Sequence, residues 1–314
     1  MTLTQLLNTR YGVIIALAIA KGTPPWLGYR IGNWIAAFFG RQRRADLMKN
    51  LCLNQWVISG KKKNAYELDH AARTVLRSVA RNYYDFYHNM DRPEEVLRLV
   101  KIPPEFEEAL QKRIDSGQGT MIVMPHIGNF DLAGRALALR GYKFQVLTHP
   151  DAVGGYVLQN RLRTERGLEA TPMNLESLQR AKHRLLDGGF VLTGMDRPMV
   201  NSNYPVTFFG HKALLPVTYI RMAMQTGVPV MVVACYRDTD GRYNLEAHEP
   251  IPMLTEGKLS DLIVCNAERV LAHAEQLIQR FPGQWAMFYP VWPQLWDEVP
   301  KWWERRKAVT TATG

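Results

Sequence analysis

The sequence lacks most of the short motifs that mark nucleotide-dependent, metal-dependent or serine-dependent catalysis. It has no Gly-rich phosphate loop and no Gly-x-Ser-x-Gly elbow, and Asp238–Gly241 lacks the spacing of a calcium loop. Its three cysteines, Cys52, Cys235 and Cys265, are scattered and show no zinc or redox spacing. These absences argue against a disulfide framework and predict a reducing compartment, no bound metal and no cofactor. Without a plausible nucleophile, we expect any group transfer to be direct.

Positive charge outweighs negative charge in the composition. The 314 residues include 39 Lys and Arg against 29 Asp and Glu, a formal net charge of +10, and 46% are hydrophobic. A basic surface attracts nucleic acid, anionic lipid or phosphorylated substrates through the same long-range field. No nucleic-acid-binding motif accompanies the basic residues, and the many Trp and Tyr suit an amphiphilic surface. We therefore expect an anionic membrane surface, and no nucleic acid, as a partner.

Two short apolar stretches stand near the start of the chain. Val13–Ala20 resembles a signal peptide, but Trp26–Phe39 follows at once, and each is shorter than the roughly 20 apolar residues that a bilayer crossing needs. We expect residues 1–60 to form a helical hairpin at the membrane interface; the alternative is that it simply packs on the catalytic domain. Its basic side chains would meet lipid phosphates: Arg30, Arg41, Arg43, Arg44 and Lys49.

The remainder is predicted to be an α/β domain over residues 61–300. Apolar positions repeat at three and four in a long helix, Ala65–Asn89, and strands and helices alternate after it. The predicted strands are Met121–Met124, Lys143–Thr148, Phe190–Gly194, Val228–Tyr236 and Tyr243–Ala247. The last two are joined by Asp240-Gly241 as a hairpin, so the central sheet is mixed and flanked by helices. Beyond the long helix, the predicted helices are Tyr156–Arg166, Leu175–Leu186, Pro216–Gln225 and Ala267–Phe281.

The end of the chain is rich in tryptophan. Trp292, Trp296, Trp302 and Trp303 fall within about a dozen residues of one another, which predicts a surface segment that rests on the membrane interface. Residues 301–314 end in a Thr-rich stretch and are predicted to be a disordered tail.

A histidine stands five residues before an aspartate where the first predicted strand meets a helix. His126 follows the apolar run, Asn129 is placed to cap the helix, and Asp131 lies in its first turn. We expect the Asp131 carboxylate to hold one imidazole N–H of His126, so that the other nitrogen acts as a general base. Main-chain amides of Gly128 and Asn129 at the helix start would stabilise an oxyanion.

This His-x4-Asp pattern resembles the signature of membrane-associated acyltransferases that move fatty acyl groups from acyl-CoA or acyl carrier protein to a lipid hydroxyl. The chain looks most like the branch of lipid A biosynthesis acyltransferases, which includes the phosphatidylinositol mannoside acyltransferases. Further segments carry the likeness: Arg43–Leu51, Gly194–Pro198, Val206–Gly210 and Val228–Val230. The resemblance spans about residues 25 to 290 and implies a glycerolipid acyltransferase-like fold.

Several more residues become candidates for substrate binding. The guanidinium groups of Arg163 and Arg166 could grip the phosphates of CoA or of a lipid headgroup, although exposed arginines on a helix are common; the resemblance favours Arg163. Asp196 and Arg197 follow a predicted strand, where α/β sheets place their sites, and a structural ion pair is the alternative.

The resemblance also assigns a role to a segment further along the chain. It implies that Phe208, Phe209 and Gly210 line an acyl channel; a plain strand that ends at a turn is the alternative. Some relatives carry an additional carboxylate just before this segment, whereas this chain has Tyr204–Thr207 there. That difference leaves the choice of acceptor open.

Together these features predict a peripheral or monotopic O-acyltransferase on the cytoplasmic face of the inner membrane. The acyl group of acyl-CoA or acyl carrier protein would pass to a hydroxyl of a glycolipid, with a lysophospholipid as the second choice of acceptor. A thioesterase and a non-catalytic, membrane-peripheral lipid-binding protein are the alternatives.

Overall fold

The computed structural model describes residues 10–150, 154–199 and 201–301, and its centre is a mixed sheet of seven strands. In chain order the strands are β1 (Val100–Lys101), β2 (Thr120–Met124), β3 (Phe144–Thr148), β4 (Glu169–Pro172), β5 (Phe190–Gly194), β6 (Val206–Phe208), β7 (His211–Ala213), β8 (Val230–Arg237) and β9 (Tyr243–Ala247). β6 and β7 form a separate antiparallel hairpin. The mixed α/β fold predicted from the sequence is confirmed.

The order of strands across the large sheet is β1-β9-β8-β2-β5-β3-β4. β8 and β9 pair antiparallel through the predicted hairpin, and every other neighbouring pair in this sheet is parallel. All five residues of β2 are buried, because helices cover both faces of the sheet at its centre. β2 and β5 are direct neighbours, although they lie far apart in the sequence, and this adjacency places the site described below.

Helices surround the sheet and extend from it at the N-terminal end. They are α1 (Arg10–Gly22), α2 (Pro25–Arg41), α3 (Asp46–Ile58), α4 (Ala65–Asn89), α5 (Pro93–Leu99), α6 (Pro104–Asp115), α7 (Phe130–Leu139), α8 (Gly155–Thr164), α9 (Leu175–Leu186), α10 (Thr218–Thr226) and α11 (Leu259–Arg280). α4 has the predicted bounds and begins with a capping box, in which Asn64 and Glu67 satisfy each other's main-chain N–H groups. α11 begins earlier than predicted, because Leu262 and Ile263 are already buried.

The two N-terminal helices pack on α4 with one face. The Tyr84 hydroxyl donates to the main-chain oxygen of Thr23 at 2.7 Å, and a Cβ on Gly28 would overlap the Tyr84 ring. The other face leaves large apolar side chains exposed: Tyr11, Ile14, Ile15, Trp26, Trp34 and Phe38. Over the described ranges, none of the helices combines the length and the apolarity that crossing a bilayer requires.

The C-terminal segment differs from the prediction. Trp292 is 0% exposed and stacks on Phe208, so it belongs to the core and does not reach a membrane surface. Asn54 of α3 anchors the segment: its side-chain amide donates to the main-chain oxygens of Met287 and Tyr289. Trp302, Trp303 and the predicted tail beyond Lys301 lie outside the described residues.

Candidate active site

The candidate site forms where two neighbouring parallel strands end. β2 ends just before His126, and β5 ends just before Asp196. Because Met124 pairs with Gly194 in parallel register, the carboxyl ends of the two strands bring the two side chains together. Nδ1 of His126 lies 2.5 Å from Oδ1 of Asp196, and the main-chain N–H of His126 donates to Oδ2 at 2.9 Å.

Asp196 is a fully buried carboxylate that accepts several hydrogen bonds. Besides the two from His126, its Oδ2 accepts the indole N–H of Trp285 at 2.7 Å. Burial by itself raises the pKa of this carboxyl, but the imidazole of His126 and the hydrogen bonds from His126 and Trp285 bring the pKa below its ordinary value. An ionised carboxylate only accepts hydrogen bonds, so Nδ1 of His126 carries the proton. In the neutral imidazole, Nε2 is therefore the nitrogen with a free lone pair.

Asp131 pairs with Arg163 and not with His126. Arg163 donates Nε–H to Oδ1 at 2.6 Å and Nη2–H to Oδ2 at 3.2 Å, and Gln159 donates to Oδ2 at 3.0 Å. The prediction that Asp131 orients the imidazole of His126 is wrong, because both oxygens of Asp131 face α8 while Asp196 holds Nδ1. A catalytic role of Asp131 by another route stays a prediction.

The Asp131–Arg163 pair is almost entirely shielded from water, with side chains 10% and 11% exposed. Burial by itself lowers the pKa of the Arg163 guanidinium, but the adjacent Asp131 carboxylate raises that pKa above its ordinary value. Two parallel hydrogen bonds join the guanidinium to the carboxyl group. This engagement places Arg163 in the wall of the site, where it supports Asp131.

Gly128 and Asn129 shape the turn between β2 and α7. Gly128 has φ +61°, and a Cβ there would lie 2.0 Å from the main-chain oxygen of Cys235, so only glycine fits. The Asn129 side chain accepts the main-chain N–H of Leu132 at 3.1 Å and caps α7 as predicted. The N–H of Gly128 donates to the main-chain oxygen of Gln284 at 3.2 Å. Of the two amides expected to face an oxyanion, that of Gly128 is therefore already hydrogen-bonded within the protein.

A cavity of about 250 Å³ opens beside His126 and Asp131. Its walls come mainly from α4, α7 and the central strands, and most of the side chains are apolar: Val79, Phe86, Met124, Ala133, Leu137, Phe144, Val146, Leu192, Val233 and Leu245. The polar lining residues include Gln159, Arg163 and Arg197 besides His126. An apolar cavity with a few polar groups in its wall suits an acyl chain whose carbonyl lies near the imidazole.

Arg197 and Arg166 have different positions. Arg197 lines the cavity, lies over the Tyr289 ring at 4.3 Å and donates to the Tyr289 hydroxyl at 2.9 Å. Arg166 follows the end of α8, is absent from the cavity wall and pairs with Asp91 at 2.7 Å. The position of Arg197 therefore fits the predicted binding role, whereas Arg166 is engaged in an ion pair outside the cavity.

Phe208, Phe209 and Gly210 do not line the cavity, which corrects the role implied by the resemblance. Phe208 is buried and packs edge-on against the ring of Trp285 at 6.5 Å. Phe209 and Gly210 have φ +51° and +74° and form the turn of the β6–β7 hairpin. The segment thus has the strand and turn of the alternative interpretation, and its Phe208 ring contacts the indole that donates to Asp196.

Sequence reasoning missed two residues that complete the site. Nothing in the sequence distinguishes Trp285 from the other tryptophans. In the structure, the main-chain N–H of its neighbour Ala286 donates to the main-chain oxygen of His126 at 2.8 Å. Asn82 of α4 donates to the main-chain oxygen of Gly128 at 2.8 Å and accepts from Asn129 on its own main-chain oxygen at 2.9 Å. Asn82 is half-buried, and its place beside the apolar positions Val79 and Phe86 of the helix is the signal that could have identified it.

Known proteins of one functional class resemble this chain in sequence. Phosphatidylinositol mannoside acyltransferase of Mycolicibacterium smegmatis is 25% identical over 234 residues, which cover 71% of this chain and 73% of that protein. The protein of the same name from Mycobacterium tuberculosis H37Rv is 24% identical over 189 residues, 58% of this chain and 57% of that protein. The family model of bacterial lipid A biosynthesis acyltransferases matches residues 2–294. The chain that places His126 and Asp196 at an apolar cavity is therefore an O-acyltransferase and belongs to the bacterial lipid A biosynthesis acyltransferase family.

Proposed function

We propose that this protein moves a fatty acyl group from acyl-CoA or acyl carrier protein to a hydroxyl of a membrane glycolipid. The observation that carries the proposal is the hydrogen bond from Nδ1 of His126, which lines a largely apolar cavity, to buried Asp196. A donor thioester whose acyl chain fills the cavity would present its carbonyl to Nε2 of His126. Both relatives are named phosphatidylinositol mannoside acyltransferase, and that name favours a sugar hydroxyl as the acceptor.

The proposed step is direct transfer with general-base help. Nε2 of His126 takes the hydroxyl proton as the acceptor oxygen attacks the thioester carbon, and Asp196 stabilises the imidazolium that forms. The carbon–sulfur bond then breaks, the sulfur takes the proton from Nε2, and the donor leaves as a free thiol. Because the N–H of Gly128 is engaged by Gln284, oxyanion stabilisation falls to the amide of Asn129 at the start of α7.

The Asp131–Arg163 pair is proposed to hold the cavity wall in place next to the imidazole. Asp131 lies at the start of α7, and Arg163 lies in α8, so the pair joins the two helices across the cavity. Arg197, which rests on the Tyr289 ring, is a candidate for the phosphates of the donor or for the headgroup of the acceptor. A lysophospholipid hydroxyl is the second candidate acceptor.

Attachment to the cytoplasmic face of the inner membrane is part of the proposal. The exposed face of α1 and α2 carries Trp26, Trp34 and Phe38, whose rings suit the headgroup region. Arg30 lies beside the Trp26 ring at 6.0 Å, so cationic and aromatic groups alternate on this surface. Apolar burial and charge acting together give firmer attachment than either gives alone.

Incubation of the purified protein with labelled acyl-CoA or acyl carrier protein, with and without a lipid extract, tests the function. We expect label to appear in glycolipid only when the extract is present. Free labelled fatty acid alone would indicate a thioesterase, and the absence of both products would indicate a lipid-binding protein. His126→Ala should abolish transfer, whereas His183→Ala, at an exposed position of α9, should leave it unchanged.

A further inference from the structure

A second cavity, of about 500 Å³, lies against a different face of α4 from the first. The first cavity uses Val79, Asn82 and Phe86, whereas the second uses Ser78 and Arg81. α2, the end of β8 and the residues after α11 complete its wall. Arginine dominates the lining, with four side chains: Arg77, Arg81, Arg237 and Arg280.

The positive charge of this second cavity is only partly compensated. Both Nη groups of Arg280 are held by Glu246, at 2.7 and 3.0 Å, and Nε of Arg81 lies 3.6 Å from Asp85. Within the described part of the chain, Arg77 and Arg237 form no ion pair, and no carboxylate lines the cavity. Two guanidinium groups therefore contribute charge that nothing in the wall neutralises.

Polar atoms around this cavity also lack hydrogen-bond partners. Ser78 is only 5% exposed, yet its hydroxyl makes no hydrogen bond within the described residues. The same holds for the buried Nε atoms of Arg81 and Arg237. Buried polar atoms in folded proteins are nearly always paired, and an unmade hydrogen bond costs about 1–3 kcal/mol. A bound group with several acceptor oxygens would offer this wall the hydrogen-bond partners that it lacks.

We propose that this second cavity binds a phosphate group, as a monoester or a diester. The forked donors of arginine match phosphate oxygens, and a hydroxyl such as that of Ser78 adds a neutral donor. The ligand has two conceivable sources: a phospholipid headgroup or a soluble phosphorylated molecule. α2 borders the cavity through Tyr29 and Asn33 and exposes Trp34 next to them, so a headgroup could enter from the membrane side.

Calorimetric titration of the full chain with inorganic pyrophosphate tests the site. We expect saturable binding that Arg237→Gln weakens roughly tenfold, the effect of one lost charge-assisted hydrogen bond. Arg77→Gln, at an exposed position, should act in the same direction and remains informative if Arg237→Gln fails to fold. Arg221→Gln is the matched control, because it removes one exposed positive charge from α10. Equal binding by the Arg77, Arg237 and Arg221 variants would overturn the proposal.

Two further measurements separate this site from the catalytic cavity and identify the source of the phosphate. Because Arg197 is itself a candidate for phosphate binding in the catalytic cavity, the titration is repeated in the Arg197→Gln background, where Arg237→Gln should still weaken pyrophosphate binding roughly tenfold. Disappearance of the Arg237→Gln effect in that background would overturn the assignment. Co-sedimentation with phosphatidylglycerol vesicles, with and without pyrophosphate, then distinguishes the two sources. Competition supports a lipid headgroup, and vesicle binding unaffected by pyrophosphate supports a soluble phosphorylated ligand.

Discussion

Oδ2 of Asp196 accepts two hydrogen bonds, one from the main-chain N–H of His126 and one from the indole of Trp285. The remaining oxygen, Oδ1, is left for the imidazole Nδ1. The carboxylate is therefore held in a single orientation before any substrate arrives. Such preorganisation fixes the tautomer of His126 and the direction in which Nε2 points.

Asp196→Asn should lower the rate of acyl transfer by about 10²–10⁴-fold, the usual range for loss of general-base help. The neutral amide stabilises an imidazolium poorly, and the two N–H groups that donate to Oδ2 require its oxygen there, which leaves its NH2 group facing Nδ1. Trp285→Phe keeps the ring but removes one hydrogen bond, and we expect a smaller loss of roughly tenfold. Steady-state rates with labelled acyl-CoA measure both effects, and circular dichroism checks the fold. Wild-type rates for Asp196→Asn would exclude the His126–Asp196 mechanism.

The stability of the protein should depend on pH through Asp196. Its folded-state pKa lies below the ordinary value of 3.8, so its contribution is present above that value and is lost as the pH falls through the folded-state pKa. The difference in unfolding free energy between the wild type and Asp196→Asn should thus be largest above about pH 5 and shrink below about pH 4. Urea denaturation across this range measures it, and Asp46→Asn, at a side chain 84% exposed, should show little dependence.

Removal of one partner of the Asp131–Arg163 pair should be more harmful than removal of both. Arg163→Ala leaves a buried carboxylate unpaired, which typically costs about 3–5 kcal/mol in unfolding free energy. The double variant Arg163→Ala with Asp131→Ala should recover part of that loss. Urea denaturation gives the free energies. If the double variant regains stability but not activity, then Asp131 or Arg163 also acts in catalysis; recovery of both would assign the pair a structural role only.

The volume of the apolar cavity should set the preferred acyl chain length. Phe144 lines the cavity, so Phe144→Leu enlarges it and should shift the preference towards longer chains. Phe106→Leu is the matched control, since both rings are 3% exposed but Phe106 lies outside the cavity wall. Transfer rates with a series of saturated acyl-CoA donors measure the preference. An unchanged profile for Phe144→Leu would show that the acyl chain lies elsewhere.

Much of the fold could be predicted from the sequence because it depends on local patterns. The bounds of α4, α9 and β5 agree with the periodicity of apolar residues, and Asn129 caps α7 as its position indicated. Short elements such as β1 and β4 escaped prediction, since two to four residues carry too little pattern. Trp292 was assigned to a membrane surface because burial cannot be deduced from residue type alone.

The partner of His126 could not be predicted in the same way. Asp131 is near in sequence and was the natural choice, whereas Asp196 comes close only because β2 and β5 are neighbours in the sheet. Strand order is a non-local property that a single sequence does not reveal. The resemblance favours Arg163 as a group that grips phosphates, whereas its partner in the structure is the buried Asp131, a contact that depends on how α7 and α8 face each other.

Trp285 follows all nine described strands in the chain, and this order affects when the site can form during synthesis on the ribosome. All nine described strands precede Trp285 in the chain, so the whole sheet can be synthesised before the indole that donates to Asp196 emerges. Until then His126 and Asp196 can meet, but the carboxylate has an unfilled acceptor site and its geometry is looser. The newly made chain should therefore acquire a fully oriented imidazole only after all nine described strands have been made.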